Sequence, residues 1–324
     1  MRVFVTRKIP GRGLEMLKAK GYELVVSPHD RVLAKDELIE FLKRDAYDAV
    51  LCLLTDNIDG EVFDAANASG VKIFANYAVG FDNIDVKAAR ERGIIVTNTP
   101  DVLTETVAEH TFALMLAIAH RIAESDRFSR AGKYRGWEPE LLLGTDVSHK
   151  VLGIVGLGRI GSRVAHHAAR GFDMRILYYD LKRNEAFEKE FDAGYRGNAD
   201  DIFREADFIS IHVPLLPATR HFVNAERLKL MKSTAYLINT SRGPIVDEAA
   251  LRDALAPGAI RGAAIDVWER EPELAPGLAD LENVILTPHT ASATEETRQK
   301  MGEVAAKNII EVLEGRRPPN LVGA

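Results

Sequence analysis

The chain has 324 residues, enough for two domains of ordinary size, and its 46% hydrophobic and 28% charged residues are the balance of a soluble globular protein. The net charge of −6 argues against nucleic acid or an anionic membrane surface as a main partner. The one cysteine, Cys52, sits in the apolar run "AVLCLL", which rules out an internal disulfide and points to a core thiol; no apolar signal core follows Met1, and the most apolar helical run (111–119) is far short of the roughly 20 residues that cross a bilayer, so a cytoplasmic protein is expected.

Short apolar runs alternate with helical patterns from the first residue. "RVFVT" reads as a strand and "GLEMLKAKG" as a helix stopped by Gly21. "ELVVS", "DAVLCLL", "VKIFANY" and "IIVTN" read as further strands, separated by the helices "AKDELIEFLKRD", "DGEVFDAANASG" and "DVKAARERG". Strands that are continuous apolar runs are buried on both faces, as in a parallel sheet covered by helices. The first hundred residues therefore predict a complete α/β unit with a flavodoxin-like wrap. A long helix starts near Leu103, and its second half is apolar on nearly every face. Such a helix is expected to be buried all round, between domains or subunits. Residues 123–150 hold Phe128, Tyr134, Trp137 and "LLL" at 141–143 without clear periodicity, and read as an arm packed on another surface. From Val151 a second series brings the strands "VLGIVG", "RILYYD", "FISIHVP", "TAYLINT", "GAAIDVW" and "NVILTP", and the helix "TEETRQKMGEVAAKNIIEVLEG" closes it.

Gly156-Leu157-Gly158-Arg159-Ile160-Gly161 fits the pattern G-x-G-x-x-G between a strand and a helix. Gly156 permits the tight turn, Gly158 has no side chain to block a pyrophosphate, and Gly161 lets helix and strand approach. The phosphates would rest on backbone N–H groups at the helix N-terminus. Asp180 ends the next strand, 19 residues after Gly161. A carboxylate there accepts hydrogen bonds from the adenosine ribose and repels a 2′-phosphate, so NAD(H) is expected over NADP(H). Lys182 and Arg183 follow closely, and NADP(H) is not excluded.

Ligands in open α/β sheets sit beyond the carboxyl ends of the strands. "AYLINTSRG" ends in Arg242, "GAAIDVWEREP" in Asp266, Glu269 and Glu271, and "NVILTPH" in His289. These types suit hydride transfer to a 2-oxo acid. A protonated histidine donates to the oxygen that gains charge, a neighbouring carboxylate favours the imidazolium, and a guanidinium orients the substrate carboxylate. Spacing alone does not choose among the three acids.

Taken together, "GLGRIG", "NTSRGPIVDEAAL" (239–251), "GAAIDVWEREP" (262–272), "LTPHTASAT" (286–294) and "NYAVGFDNID" (76–85) resemble the D-isomer-specific 2-hydroxyacid dehydrogenase family over essentially the whole chain. The resemblance implies that Arg242 orients substrate, that Glu271 partners the histidine and that His289 is the acid/base. It implies two α/β domains with parallel sheets: residues 1–99 plus 290–324 as a flavodoxin-like substrate-binding domain, residues 100–289 as a dinucleotide-binding Rossmann domain, and an active site in the cleft between them. Val79 and Gly80 would bind the substrate carboxylate through their amides, with Leu53 a wall of the pocket and Asn76 beside it. Val213, Pro214, Thr219, Thr240 and Asp266 join the glycine loop, Arg159, Ile160 and Asp180 in the cofactor set. No metal is implied. A homodimer formed through the nucleotide domain is implied, which suits the apolar helix and the arm.

Within the family, "LLTDNIDGEVFDAA" (53–66) and "NYAVGFDNID" are most similar to the glyoxylate/hydroxypyruvate reductase branch. The alternatives are a related acid (3-phosphoglycerate, D-lactate or a branched 2-oxo acid) or an NADH-sensing binding protein of the same fold.

Overall fold

The structure is a computed structural model that describes residues 1–323. Its contacts divide the chain into two units: Met1–Leu103 with the segment from Ala293 onward, and Thr104–Ser292.

In the first unit, β1 (Arg2–Val5), α1 (Gly11–Ala19), β2 (Glu23–Val26), α2 (Lys35–Arg44), β3 (Ala49–Cys52), α3 (Gly60–Ser69), β4 (Ile73–Asn76), α4 (Val86–Glu91) and β5 (Ile95–Thr97) alternate without a break. The strands form one parallel sheet in the order β2-β1-β3-β4-β5, the flavodoxin-like wrap that the sequence predicts. The central strands β3 and β4 are buried at every position, because helices cover both faces. Cys52 is a buried free thiol, as expected of a small apolar side chain in a central strand. Helix signals are local: Asp59 caps α3 by accepting from the Glu61 and Val62 amides, and Gly70 closes it at φ +91°.

The second unit starts with α5 (Thr104–Ala119) and α6 (Ile122–Arg130). It continues through β6 (Val151–Val155), α7 (Arg159–Phe172), β7 (Arg175–Tyr179), α8 (Glu185–Phe191), β8 (Gly194–Tyr195), α9 (Ala199–Glu205) and β9 (Phe208–Ile211). Then come α10 (Ala225–Leu230), β10 (Tyr236–Asn239), a 3-10 turn at Gly243–Ile245, α11 (Glu248–Leu255), β11 (Gly262–Ile265) and β12 (Val284–Leu286). The parallel sheet runs β12-β11-β10-β9-β6-β7-β8. Counting β6 as first, this is the doubly wound order 3-2-1-4-5-6 with a seventh strand added, and the direction of winding reverses between β6 and β9. The sequence predicts six of these strands. It passes over β8, whose two residues are too few to show periodicity.

α12 (Glu295–Leu313) returns the chain to the first unit. It crosses α1 so closely that a Cβ on Gly13 would lie 2.3 Å from the Gly302 carbonyl oxygen. Beyond it, Leu321 bridges Thr97 antiparallel and the Val322 amide donates to Val96 O at 2.9 Å.

Two expectations change. Residues 123–150 are not irregular throughout, because the first part belongs to the helix α6. None of its residues is fully buried, which is why no apolar stripe shows in the sequence. The rest of the segment exposes Tyr134, Leu143 and above all Trp137, 83% exposed. And α5 is not buried all round within this chain: Phe112, Met115 and Ile118 enter the core, while Glu109 and Ala113 face outward. No helix among the described residues is long and apolar enough to cross a membrane.

Candidate active site

The glycine loop joins β6 to α7 at the point where the winding reverses. Gly156 has φ +95°, and a Cβ there would lie 2.7 Å from the His212 carbonyl oxygen. A Cβ on Gly161 would lie 2.1 Å from Gly156 O, so the first turn of α7 packs directly on the loop. Gly158 differs: nothing lies within 4 Å of the position its Cβ would take. It is also the N-cap of α7, without a side-chain acceptor. The helices α8, α9, α10 and α11 are capped by Asn184, Asn198, Asn224 and Asp247, each accepting a backbone N–H. The fold caps those helix starts itself and leaves α7 open to an anion. A dinucleotide pyrophosphate fits that opening.

Asp180 stands half-buried at the end of β7, and its Oδ2 accepts the Leu157 amide at 2.7 Å. The carboxylate thereby ties the glycine loop to β7 and keeps acceptor capacity for ribose hydroxyls. After β9, the Thr219 hydroxyl bridges the turn by donating to Pro214 O at 2.6 Å while accepting from Leu216 N at 2.8 Å. That turn holds Val213 and Pro214 in place. Arg159 and Ile160 open α7, with Arg159 exposed.

Arg242, the three acids and His289 follow β10, β11 and β12, which are neighbours in the sheet. Buried Asn239 shapes the Arg242 loop: its Oδ1 accepts the Ser241 amide and hydroxyl, and its Nδ2 donates to Arg242 O at 3.1 Å. Arg242 Nη1 donates to Ser241 O at 2.8 Å. Gly243 comes next because nothing else fits: a Cβ there would lie 1.8 Å from the Trp268 carbonyl oxygen. The Arg242 loop and the acidic loop are thus in backbone contact.

The structure gives each of the three acids its own histidine. Glu271 Oε2 lies 2.9 Å from His289 Nδ1, and its Oε1 accepts the Trp268 amide at 3.1 Å. Glu269 Oε1 lies 2.7 Å from His221 Nε2. Asp266 Oδ1 lies 3.4 Å from His110 Nε2. Only the first pair involves the strand-end histidine that the sequence singles out. With Nδ1 on a carboxylate, His289 has Nε2 left for a ligand.

His289 sits in left-handed backbone, φ +54°, which a side chain other than glycine adopts only when its surroundings impose it. Asp266 imposes it here. Its carbonyl accepts the His289 amide at 2.7 Å. Its carboxylate accepts the Thr287 hydroxyl and the Thr290 and Ala291 amides at 2.6–2.8 Å. Burial would raise this carboxyl, but the bonds from His110, Thr287 and the two amides outweigh it and hold Asp266 below the usual range. Asp266, placed by the resemblance among the cofactor contacts, is fully buried and braces the histidine loop. Thr240 is likewise buried, with its hydroxyl 2.8 Å from that of Thr111.

In the first unit the loop after β4 has its carbonyls pinned. Thr99 N donates to Ala78 O, Asn98 Nδ2 to Val79 O and Asn76 Nδ2 to Gly80 O, at 2.8–2.9 Å. A trans peptide points its N–H opposite its C=O. The bonds to three successive carbonyls therefore fix the directions of the Val79, Gly80 and Phe81 N–H groups as well. Asn76 is fully buried and acts on this loop from beneath. Leu53 is half-buried and fixed by Asp56, whose Oδ2 accepts its amide at 2.8 Å.

Sequence reasoning missed Glu248. It is buried, and its two oxygens accept the Glu269 amide at 2.6 Å and the Ala275 amide at 3.0 Å, pinning both sides of the acidic loop. Burial pushes its carboxyl up. The signal was an acid in the first turn of a helix, which reads as an ordinary dipole contact. His110 and His221 were missed too, since neither stands at a strand end.

Comparison with known proteins agrees with this architecture. The D-isomer specific 2-hydroxyacid dehydrogenase, NAD binding domain, matches residues 112–291. A glyoxylate reductase of Korarchaeum cryptofilum is 51% identical over 99% of this chain and 95% of its own length. A glyoxylate reductase of Thermococcus kodakarensis is 48% identical, covering 99% and 96%. A crystal structure from Thermus thermophilus superposes with a TM-score of 0.92 at 44% identity, covering 99% and 100%. An NADPH-dependent glyoxylate/hydroxypyruvate reductase from Sinorhizobium meliloti, solved with NADP and malonate, gives 0.85 at 31%, covering 99% and 96%. Fold and comparisons define a nicotinamide-dependent oxidoreductase. The chain belongs to the D-isomer specific 2-hydroxyacid dehydrogenase family, as the sequence motifs imply.

Proposed function

We propose that this enzyme reduces glyoxylate and hydroxypyruvate to glycolate and D-glycerate, with NADH preferred over NADPH. The observation that carries the reading is the His289 Nδ1–Glu271 Oε2 contact at 2.9 Å, which joins the loop after β12 to the acidic loop after β11, with Arg242 following the neighbouring strand β10. The glyoxylate reductase relatives, 46–51% identical, support the substrate.

The glycine loop, Arg159, Ile160 and the N-terminus of α7 hold the pyrophosphate, Asp180 the ribose, and the turn of Val213, Pro214 and Thr219 with Thr240 the remainder of the cofactor. The bound dinucleotide supplies a hydride. Arg242 pairs with the substrate carboxylate and carbonyl oxygen and fixes their orientation. The amides of Val79 and Gly80 receive the carboxylate, and Leu53 closes one wall of the pocket. His289 holds a proton at Nε2 and delivers it to the carbonyl oxygen as that oxygen gains charge. Glu271 keeps the imidazole oriented through Nδ1.

A cytoplasmic enzyme is the reading, in keeping with a single cysteine that allows no internal disulfide. It is read as a homodimer, with exposed Ile122, Tyr134, Trp137 and Leu143 covered by a second copy.

Steady-state kinetics with NADH and NADPH across glyoxylate, hydroxypyruvate, pyruvate, 3-phosphoglycerate and longer 2-oxo acids test the reading. Glyoxylate and hydroxypyruvate should give the highest kcat/KM. Turnover below about 1 per second with every acid is not ordinary enzymatic turnover and would overturn it.

A further inference from the structure

Asp180 is not the only charge at the end of β7. Arg183 follows three residues later, and an arginine near this position is what accommodates a 2′-phosphate in dinucleotide folds. Here the guanidinium is already engaged. Its Nε donates to Glu188 Oε1 at 2.9 Å and its Nη2 to Oε2 at 2.7 Å, the two-pronged geometry in which arginine binds carboxylates best. A phosphate would use the same prongs.

The acceptor is itself held. Glu188 lies on α8, and its side chain is only 15% exposed although Arg183 is 56% exposed. Its Oε1 also accepts the Tyr178 hydroxyl at 2.7 Å. The Tyr178 oxygen in turn accepts the Asn184 amide at 2.7 Å, and Asn184 is the N-cap of α8. Tyr178 is a fully buried residue of β7. The chain Asn184–Tyr178–Glu188–Arg183 thus anchors the guanidinium to the sheet. Arg183 and then Tyr178 hold the Glu188 carboxyl down to about 2, so it stays ionised across the working range.

We propose that Glu188 is a cofactor-specificity residue: it withholds Arg183 from the 2′ position of the adenosine ribose. The chain then disfavours NADP(H) twice, through the Asp180 charge and through the loss of a cation that could offset it. This rests on the reading of Asp180 as the ribose acceptor.

Calorimetry on the full chain without cofactor tests it, with 5′-AMP and 2′,5′-ADP as probes. The wild type should bind 5′-AMP more tightly; the reverse would overturn the Asp180 reading by itself, before any variant is made. Glu188→Gln keeps an acceptor for Tyr178 but removes the charge that holds the guanidinium. It should raise affinity for 2′,5′-ADP about tenfold, the scale of one hydrogen bond to a charged group. Its affinity for 5′-AMP should not change. Adding Arg183→Ala should cancel the gain. The kcat/KM ratio of NADPH to NADH should follow the same order. An unchanged 2′,5′-ADP affinity in Glu188→Gln overturns the proposal. So does a gain that survives Arg183→Ala, because Glu188 would then act by its charge alone. Arg183→Ala by itself should leave 2′,5′-ADP binding unchanged; weaker binding would mean that Arg183 already reaches the phosphate.

Discussion

His289–Glu271 and His221–Glu269 are nearly the same object built twice. Both pairs meet at 2.7–2.9 Å, both histidines have left-handed backbone, and both glutamates leave one loop. Their surroundings differ. Glu269 has a second partner near it, the Arg220 guanidinium at 3.5 Å. Glu271 turns its other oxygen to a backbone amide and gives its charge to one imidazole. His221 lies on the turn between β9 and α10, whereas His289 follows β12 in a loop braced by Asp266 on both sides. A histidine–carboxylate distance therefore does not identify an acid/base; position on the sheet and what else the carboxylate serves do.

Replacing the histidines breaks the likeness most sharply. His289→Ala should lower kcat by about 10²–10⁴-fold, the usual worth of a positioned general acid. NADH affinity, read by fluorescence titration, should stay the same. His221→Ala should leave kcat nearly unchanged and lower stability by about 1 kcal/mol, since a partly exposed pair contributes little. A comparable fall in kcat from both variants would mean that the two pairs act as a unit.

The carboxylates give the next largest contrast. Glu271→Gln should cost about 10²-fold in kcat, the order expected when a reacting group is left misoriented. In Glu269→Gln the amide oxygen still accepts from His221, so single-turnover rates should match the wild type. A slow Glu269→Gln enzyme with normal melting behaviour would transfer part of the catalytic role to the second pair.

The smallest effect belongs to His212, a histidine without a carboxylate. Its Nε2 meets the Ser210 hydroxyl at 2.7 Å, and burial pushes its pKa down to about 3. The unfolded chain takes up a proton near pH 6.5 and the folded chain does not. The stability this contributes is complete above pH 6.5 and is lost as pH falls toward 3. Between pH 7 and 5 the loss should be about 1–2 kcal/mol by urea titration. His212→Asn should flatten that slope. An unchanged slope would show that His212 protonates in the folded state at ordinary cost.

Much of this was legible in order along the chain. The glycine pattern placed the turn, the open helix start and the close packing at Gly156, Gly158 and Gly161, because each depends on a missing Cβ and little else. Strand-end residues could be read off because a parallel sheet brings the carboxyl ends of its strands to one edge. The partnering of acids was not legible from spacing; only the family resemblance pointed to Glu271 as the partner of His289. Asp266, Glu269 and Glu271 lie within six residues, and loop dihedrals that no periodicity encodes send them to three different histidines. The surface helix α6 was missed because it buries no stripe, and Glu248 because its partners lie 21 and 27 residues away.

The sequence by itself determined two parallel α/β units, a dinucleotide-binding loop and the residue types of a hydride-transfer site, since periodicity, glycine and strand ends are local properties. Only the tertiary structure decided that the three acids meet three different histidines, that Asp266 and Asn76 act from beneath their loops, and that Arg183 is held by Glu188. Those choices depend on which backbone groups of distant segments are left to be satisfied, and that is settled only when the segments pack.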